Sequence, residues 1–191
     1  MIENLIEKNI AFLQRYIQCD EETVKVYKYS LRILYSYIID VLALMGFAVI
    51  TNKIIETIIS LAVFAILQVY GGGYHASTKL GCFMIMVIGW FIGMFGLTKI
   101  VSMNYLVNIV IMMVSTVLIF VFTPVLNAKH PVGSDVYLRS KKVVRTTVIG
   151  IDIFTLLCIS QGWDFILKTI NTVMVLYSIS LLGAVYKSKE V

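Results

Sequence analysis

The sequence predicts an all-α, polytopic membrane protein: six transmembrane helices behind an amphipathic amino-terminal helix lying in the membrane interface. Three observations predict it. Of the 191 residues 59% are hydrophobic and the mean hydropathy is +0.89, more than a soluble core of this size takes up. Apolar runs long enough to cross the hydrocarbon, which takes roughly 20 residues, recur along the chain. The basic residues gather at alternate ends of those runs.

Residues 1–28 come first. Ile2, Leu5, Ile6, Ile10, Leu13 and Ile17 recur at three- and four-residue steps, with Glu3, Glu7, Lys8, Gln14 and Arg15 on the other face. That spacing makes one apolar stripe on a helix, suited either to the cytoplasmic interface or to packing on the bundle. No charged n-region runs directly into an apolar h-region, so a cleavable signal is not expected. The six spans follow at 31–50, 54–70, 82–100, 106–126, 143–160 and 165–186. We read 31–186 as one six-span bundle and 1–191 as a single membrane domain. The connections are short except 127–142, which carries Pro131, Gly133 and most of the loop charge.

Of the 16 lysines and arginines, only Lys53, Lys99 and Lys168 fall at the far ends of these spans, leaving thirteen on the near side. Positive flanks stay in the cytoplasm, so both termini, the connection after the second span and residues 127–142 are expected there. The net charge of +5 is thus mostly topology. Nucleic acid is not an expected partner, because these charges lie beside spans and lack a basic helix or aromatic platform. Cys19, Cys82 and Cys158 are an odd set that implies no disulfide framework. No metal or cofactor is expected.

The chemistry-bearing stretch is Gly71-Gly72-Gly73-Tyr74-His75-Ala76-Ser77-Thr78-Lys79-Leu80-Gly81-Cys82, between the second and third spans. Three glycines continue a helix poorly, each costing about 1 kcal/mol against alanine, so the second span should end near Tyr70. Ser77 could then cap the third span and place Cys82 in its second turn, where the positive end of the helix dipole favours a thiolate. On one continuous helix His75 and Cys82 would lie about 10 Å apart, so His75 must fold back to serve as a base. The bland reading stands beside this one: a cysteine in an apolar span is ordinarily a small buried hydrophobe. Cys19 and Cys158 have no histidine nearby in sequence and are expected to be structural, and His130 is an alternative base. Gln68 and the amides of residues 77–80 are candidate oxyanion donors.

Gly72-Gly73-Tyr74-His75-Ala76 followed by Cys82 resembles the signature of the accessory gene regulator B family. A second block, Thr123-Pro124-Val125-Leu126-Asn127-Ala128-Lys129-His130-Pro131, resembles that family's segment after the fourth span. Three positions depart from it: Gln68 stands where the family often has arginine, Leu126 where an acidic residue is common, and His130 where a basic one is common, with Lys129 next door. The resemblance implies a cysteine endopeptidase of the bacterial plasma membrane that processes the precursor of a cyclic autoinducer peptide in quorum sensing. It makes Cys82 the nucleophile, His75 its base and Gly73 a required backbone element. Its implied partner, besides the bilayer, is a short amphipathic precursor with an acidic carboxyl-terminal tail, and a homodimer is compatible with it. Lys129, His130, Arg139, Lys141 and Lys142 would then attract that tail, or else serve topology alone.

Asp40 and Asp152 each lie nine residues inside a span, about 14 Å deep at 1.5 Å per residue. Carboxyls there are costly. A structural role is expected, with the carboxyls bonded to side chains such as Ser36, Thr155 or Asn108. Two other function classes are compatible with the composition. A small peptide transporter should show broken helices at the membrane midplane, and a noncatalytic scaffold would have no use for His75 and Cys82 as a pair.

The charge distribution makes a topological prediction. Single cysteines introduced at Ser134 and Ser188 should be shielded from a membrane-impermeant thiol reagent in intact cells and react after permeabilisation. Labelling from outside would reverse the orientation.

Overall fold

The computed structural model describes residues 2–15, 20–74, 76, 78–101, 104–125 and 133–189. Among them there is no strand, and six helices are long and apolar enough to cross a membrane. The chain forms two compact units, Met1–Thr51 and Asn52–Val191.

The first unit pairs α1 (Ile2–Gln14) with α2 (Glu21–Ile50). Asp20 caps α2 by accepting a hydrogen bond from the Thr23 amide at 3.3 Å, and Glu21 and Glu22 complement the dipole in its first turn. The bonds from Thr23 hold the Asp20 carboxyl below the usual carboxylate range. One helical turn apart, Ile6 and Ile10 are buried, while Leu5 and Phe12 stay exposed. Polar contacts flank them: Arg32 donates two bonds to Glu3, at 3.0 and 2.9 Å, and Asn9 donates to the Tyr35 hydroxyl at 2.7 Å. Part of the apolar stripe of α1 is therefore packed, and part is left exposed. Ile17 and Cys19 lie outside the described residues.

The second unit contains α3 (Ile54–Gly71), α4 (Lys79–Phe91), a π-helical segment (Ile92–Leu97), α5 (Thr98–Val101), α6 (Tyr105–Phe122), α7 (Ser134–Gln161) and α8 (Asp164–Lys189). α8 is the hub. Of its membrane-length window 56% is buried, against at most 22% for any other such helix. Leu67, Ile119, Val144, Val148, Ile170, Met174, Tyr177 and Leu181, from α3, α6, α7 and α8, make one core. Small and polar residues allow the close approaches that lipid does not drive. A Cβ on Gly93, in the π segment, would come within 2.8 Å of Leu176. Asn171 donates to the Asn108 side chain at 2.8 Å, and Trp90 donates to Thr57 at 3.0 Å.

Two of the six helices start well before their apolar runs. α2 begins at Glu21 rather than residue 31, and α7 begins at Ser134 rather than residue 143, so half of the expected 127–142 connection is helix. Residues 21–30 and 134–142 contain no glycine or proline, and nothing in them stops a helix at the edge of the hydrocarbon. At the far end of α7, Gly162 adopts φ +69° and the Trp163 amide returns to the Cys158 carbonyl at 2.9 Å, closing the helix by a left-handed turn.

Candidate active site

The glycine break ends α3 at Gly71, one residue later than the sequence suggests. Each backbone group freed there needs a partner, and the structure supplies several. The Gly72 amide donates to the Gln68 carbonyl at 3.0 Å, and the Gly71 carbonyl accepts from the Val125 amide at 3.0 Å. Tyr177, fully buried in α8, places its hydroxyl 3.0 Å from both the Leu67 and the Gly72 carbonyl oxygens, sharing one proton between them. The Tyr74 amide donates to Ser180 Oγ at 3.1 Å. The Tyr74 side chain packs against Gly183, with the Lys187 ammonium 5.2 Å from its ring centroid.

Two of the three glycines are required by shape. A Cβ on Gly71 would overlap the Tyr177 hydroxyl, and Gly72 has φ +78°, a region L side chains rarely adopt. Gly73 is wedged: a Cβ there would lie 3.2 Å from Ser180 Oγ and 3.4 Å from the Gln68 carboxamide carbon. The sequence-derived support residues Gln68 and Gly73 are therefore brought together, with Ser180 as their unforeseen third member.

Across the turn, α4 opens at Thr78. The expected cap was Ser77, which lies outside the described residues. The observed cap is Thr78, whose Oγ1 accepts from the Gly81 amide at 3.1 Å. A residue in extended backbone with a hydroxyl at the Ncap satisfies an orphan donor of the first turn, and Thr78 has that conformation. Cys82 is the fourth helical residue, half-buried, its amide bonded to the Thr78 carbonyl at 3.0 Å. The amides of Lys79 and Leu80 have no partner among the described residues, and a helical side chain leans toward the amino-terminal end where they lie. A Cβ on Gly81 would lie 3.1 Å from the Ala76 methyl. The residue after His75 thus packs on the residue before Cys82. His75 itself is outside the described residues.

The second sequence block joins the first through Val125, and Thr123 is buried beside Gly71, with its hydroxyl donating to the Ile119 carbonyl. The Thr123–Pro124 peptide bond is cis. Lys129 and His130 lie outside the described residues. Arg139, Lys141 and Lys142 are in the first turns of α7, with Arg139 and Lys142 exposed and Lys141 5.8 Å from the centroid of the Tyr137 ring. Cys158 is fully buried. Asp152 accepts from the Thr116 hydroxyl at 2.8 and 3.0 Å, a partner other than those expected. Thr155 instead donates to the Ile151 carbonyl, and Asn108 to that of Asn104, each one turn back along its helix at 2.8 Å. Asp40 is half-buried. Among the described residues no three histidine, cysteine, aspartate or glutamate side chains gather as a metal site.

Sequence reasoning missed Tyr177, Ser180 and Gly183. A signal was present, since a tyrosine and a serine three residues apart in an apolar span are a polar stripe that must find partners.

The family model for accessory gene regulator B matches residues 6–186. The chain is also similar to an AgrB-like protein of Clostridium perfringens (strain SM101 / Type A), with 24% identity over 180 residues, covering 87% of this chain and 83% of the relative. No solved structure matches significantly.

The contact at Gly71 generates a stability prediction. Gly71→Ala should lower the melting temperature of the detergent-solubilised protein, at a cost of about 1–3 kcal/mol for overpacking. Gly89→Ala, where a Cβ meets nothing within 4 Å, should melt at or above the parent. Equal melting of the two variants would show that the Tyr177 contact does not constrain the turn.

Proposed function

Because the chain belongs to the accessory gene regulator B family, we propose that it is a membrane-embedded cysteine endopeptidase that processes a quorum-sensing peptide precursor. The observation that supports this reading is the packing of the Ala76 methyl, from the residue after His75, against Gly81, the residue before Cys82 in the first turn of α4. His75 takes the proton from Cys82 Sγ, and the thiolate attacks a peptide carbonyl of the precursor. The Lys79 and Leu80 amides stabilise the oxyanion. As the carbon–nitrogen bond breaks, His75 returns the proton to the leaving amine. The carboxyl-terminal segment departs and a thioester to Cys82 remains. An internal cysteine or serine of the precursor then attacks that thioester, releasing a thiolactone or lactone and restoring the thiol. A water-poor site favours this capture over hydrolysis.

On this reading the protein resides in the bacterial plasma membrane with both termini and Cys82 on the cytoplasmic side. Arg139, Lys141 and Lys142, on the opening turns of α7, attract an acidic precursor tail.

The cysteines test the chemistry as controls for one another. Cys82→Ala or Cys82→Ser should abolish precursor cleavage without loss of insertion, and His75→Ala should nearly do so. Cys19→Ala and Cys158→Ala should keep most activity. Normal processing by the Cys82 variants would end the peptidase reading in favour of a peptide transporter.

Substrate attraction is separable from chemistry. Neutralising Arg139, Lys141 and Lys142 together should raise KM with little change in kcat, and the effect should shrink at high salt. An unchanged KM in correctly inserted protein would reduce these residues to a topological signal.

A further inference from the structure

Tyr177, Ser180, Gly183 and Lys187 follow one another at three- and four-residue steps along one stripe of α8, and all four meet the turn that leads to His75. We propose that Tyr177 and Ser180 are positioning residues for the peptidase reaction, clamping the backbone of residues 72–74 and so fixing the approach of His75 to Cys82. The inference rests on the reading of Cys82 as nucleophile and His75 as base. Tyr177 and Ser180 act on backbone: the Tyr177 hydroxyl on the Gly72 carbonyl, and Ser180 Oγ on the amide of Tyr74, the residue before His75.

The need for such a clamp follows from the glycines. Three in succession give the chain room to turn, and the same freedom scatters any side chain beyond them. A general base must come within hydrogen-bond reach of its proton, and misplacement by an ångström costs on the order of a hundredfold in rate. Packing alone would not require the hydroxyl at position 177. A phenylalanine ring would fill the same space against Phe64, which meets the Tyr177 ring edge-on at a centroid distance of 5.9 Å. The hydroxyl is buried in an apolar bundle, where it is tolerated because two carbonyls receive it. Ser180 makes the corresponding contact on the other side of Gly73.

The test uses the full chain in nanodiscs, with Cys19→Ala and Cys158→Ala so that Cys82 is the sole thiol, and iodoacetamide as the probe. The alkylation rate is measured as a function of pH for the parent, His75→Ala, Tyr177→Phe and Ser180→Ala, and melting is followed in each. His75→Ala should change the pH profile. Tyr177→Phe and Ser180→Ala should move toward the His75→Ala profile, with the rate near neutrality falling at least about tenfold. Should Tyr177→Phe fail to fold, Ser180→Ala, which removes one atom from the side of α8, decides alone. A shift in one folded variant only assigns the role to that residue and withdraws it from the other. If His75→Ala differs from the parent while the Tyr177 and Ser180 variants superimpose on it, the inference is overturned and the peptidase reading survives. If His75→Ala itself superimposes on the parent, the base assignment falls and the inference with it.

Discussion

The hydrogen bond from Tyr177 to the Gly72 carbonyl is the contact on which the rest of the candidate site depends. A helix that stops at the end of a span releases backbone donors and acceptors, and an apolar bundle offers no water to take them. The chain answers with partners from two distant segments. Tyr177 and Ser180 of α8 take a carbonyl and an amide on either side of Gly73, and the Val125 amide takes the Gly71 carbonyl. The start of the second block that resembles the family signature is therefore hydrogen-bonded, through Val125, to Gly71 at the edge of the first, and the turn is backed by the most buried of the membrane-length helices.

That dependence explains the composition of α8. Its core positions are large and apolar, Leu167, Ile170, Met174 and Leu181 among them, yet Asn171, Tyr177 and Ser180 interrupt the pattern with side chains that reach α6 and the turn. Glycines complete the fit. Gly93 lets the π-helical segment approach α8 closely, and Gly183 leaves room for the Tyr74 side chain. A π-helical segment in a membrane helix is also what a transporter reading looks for. Here its glycine serves close packing against Leu176 and Thr172, and the chemistry-bearing break lies elsewhere, between α3 and α4.

The spans were legible because a membrane helix writes itself as an apolar run, and all six appear as helices. Their ends were less so. The sequence marks where the apolar residues begin, and α2 and α7 start before that point because no glycine or proline stands in the residues just ahead of it. The glycine break and the position of Cys82 just inside α4 were readable from local rules. The choice of Thr78 over Ser77 as cap was not, since either hydroxyl could open the helix. Least legible was the clamp. Tyr177 is about a hundred residues from the turn it holds, the Asp152 carboxyl found Thr116 rather than a closer candidate, and no local pattern encodes such pairings.

A thiol in the opening turn of α4 follows a turn held in place from the opposite end of the chain. If that arrangement does chemistry, the precursor must pass through a covalent state on Cys82. Intact-mass measurement after brief mixing with the precursor, followed by peptide mapping, tests this most directly. The account predicts an adduct with the mass of the precursor lacking its carboxyl-terminal segment, located on Cys82 and removed by hydroxylamine as a thioester must be. Cleaved precursor without any adduct on Cys82, or with the adduct on another residue, would contradict it.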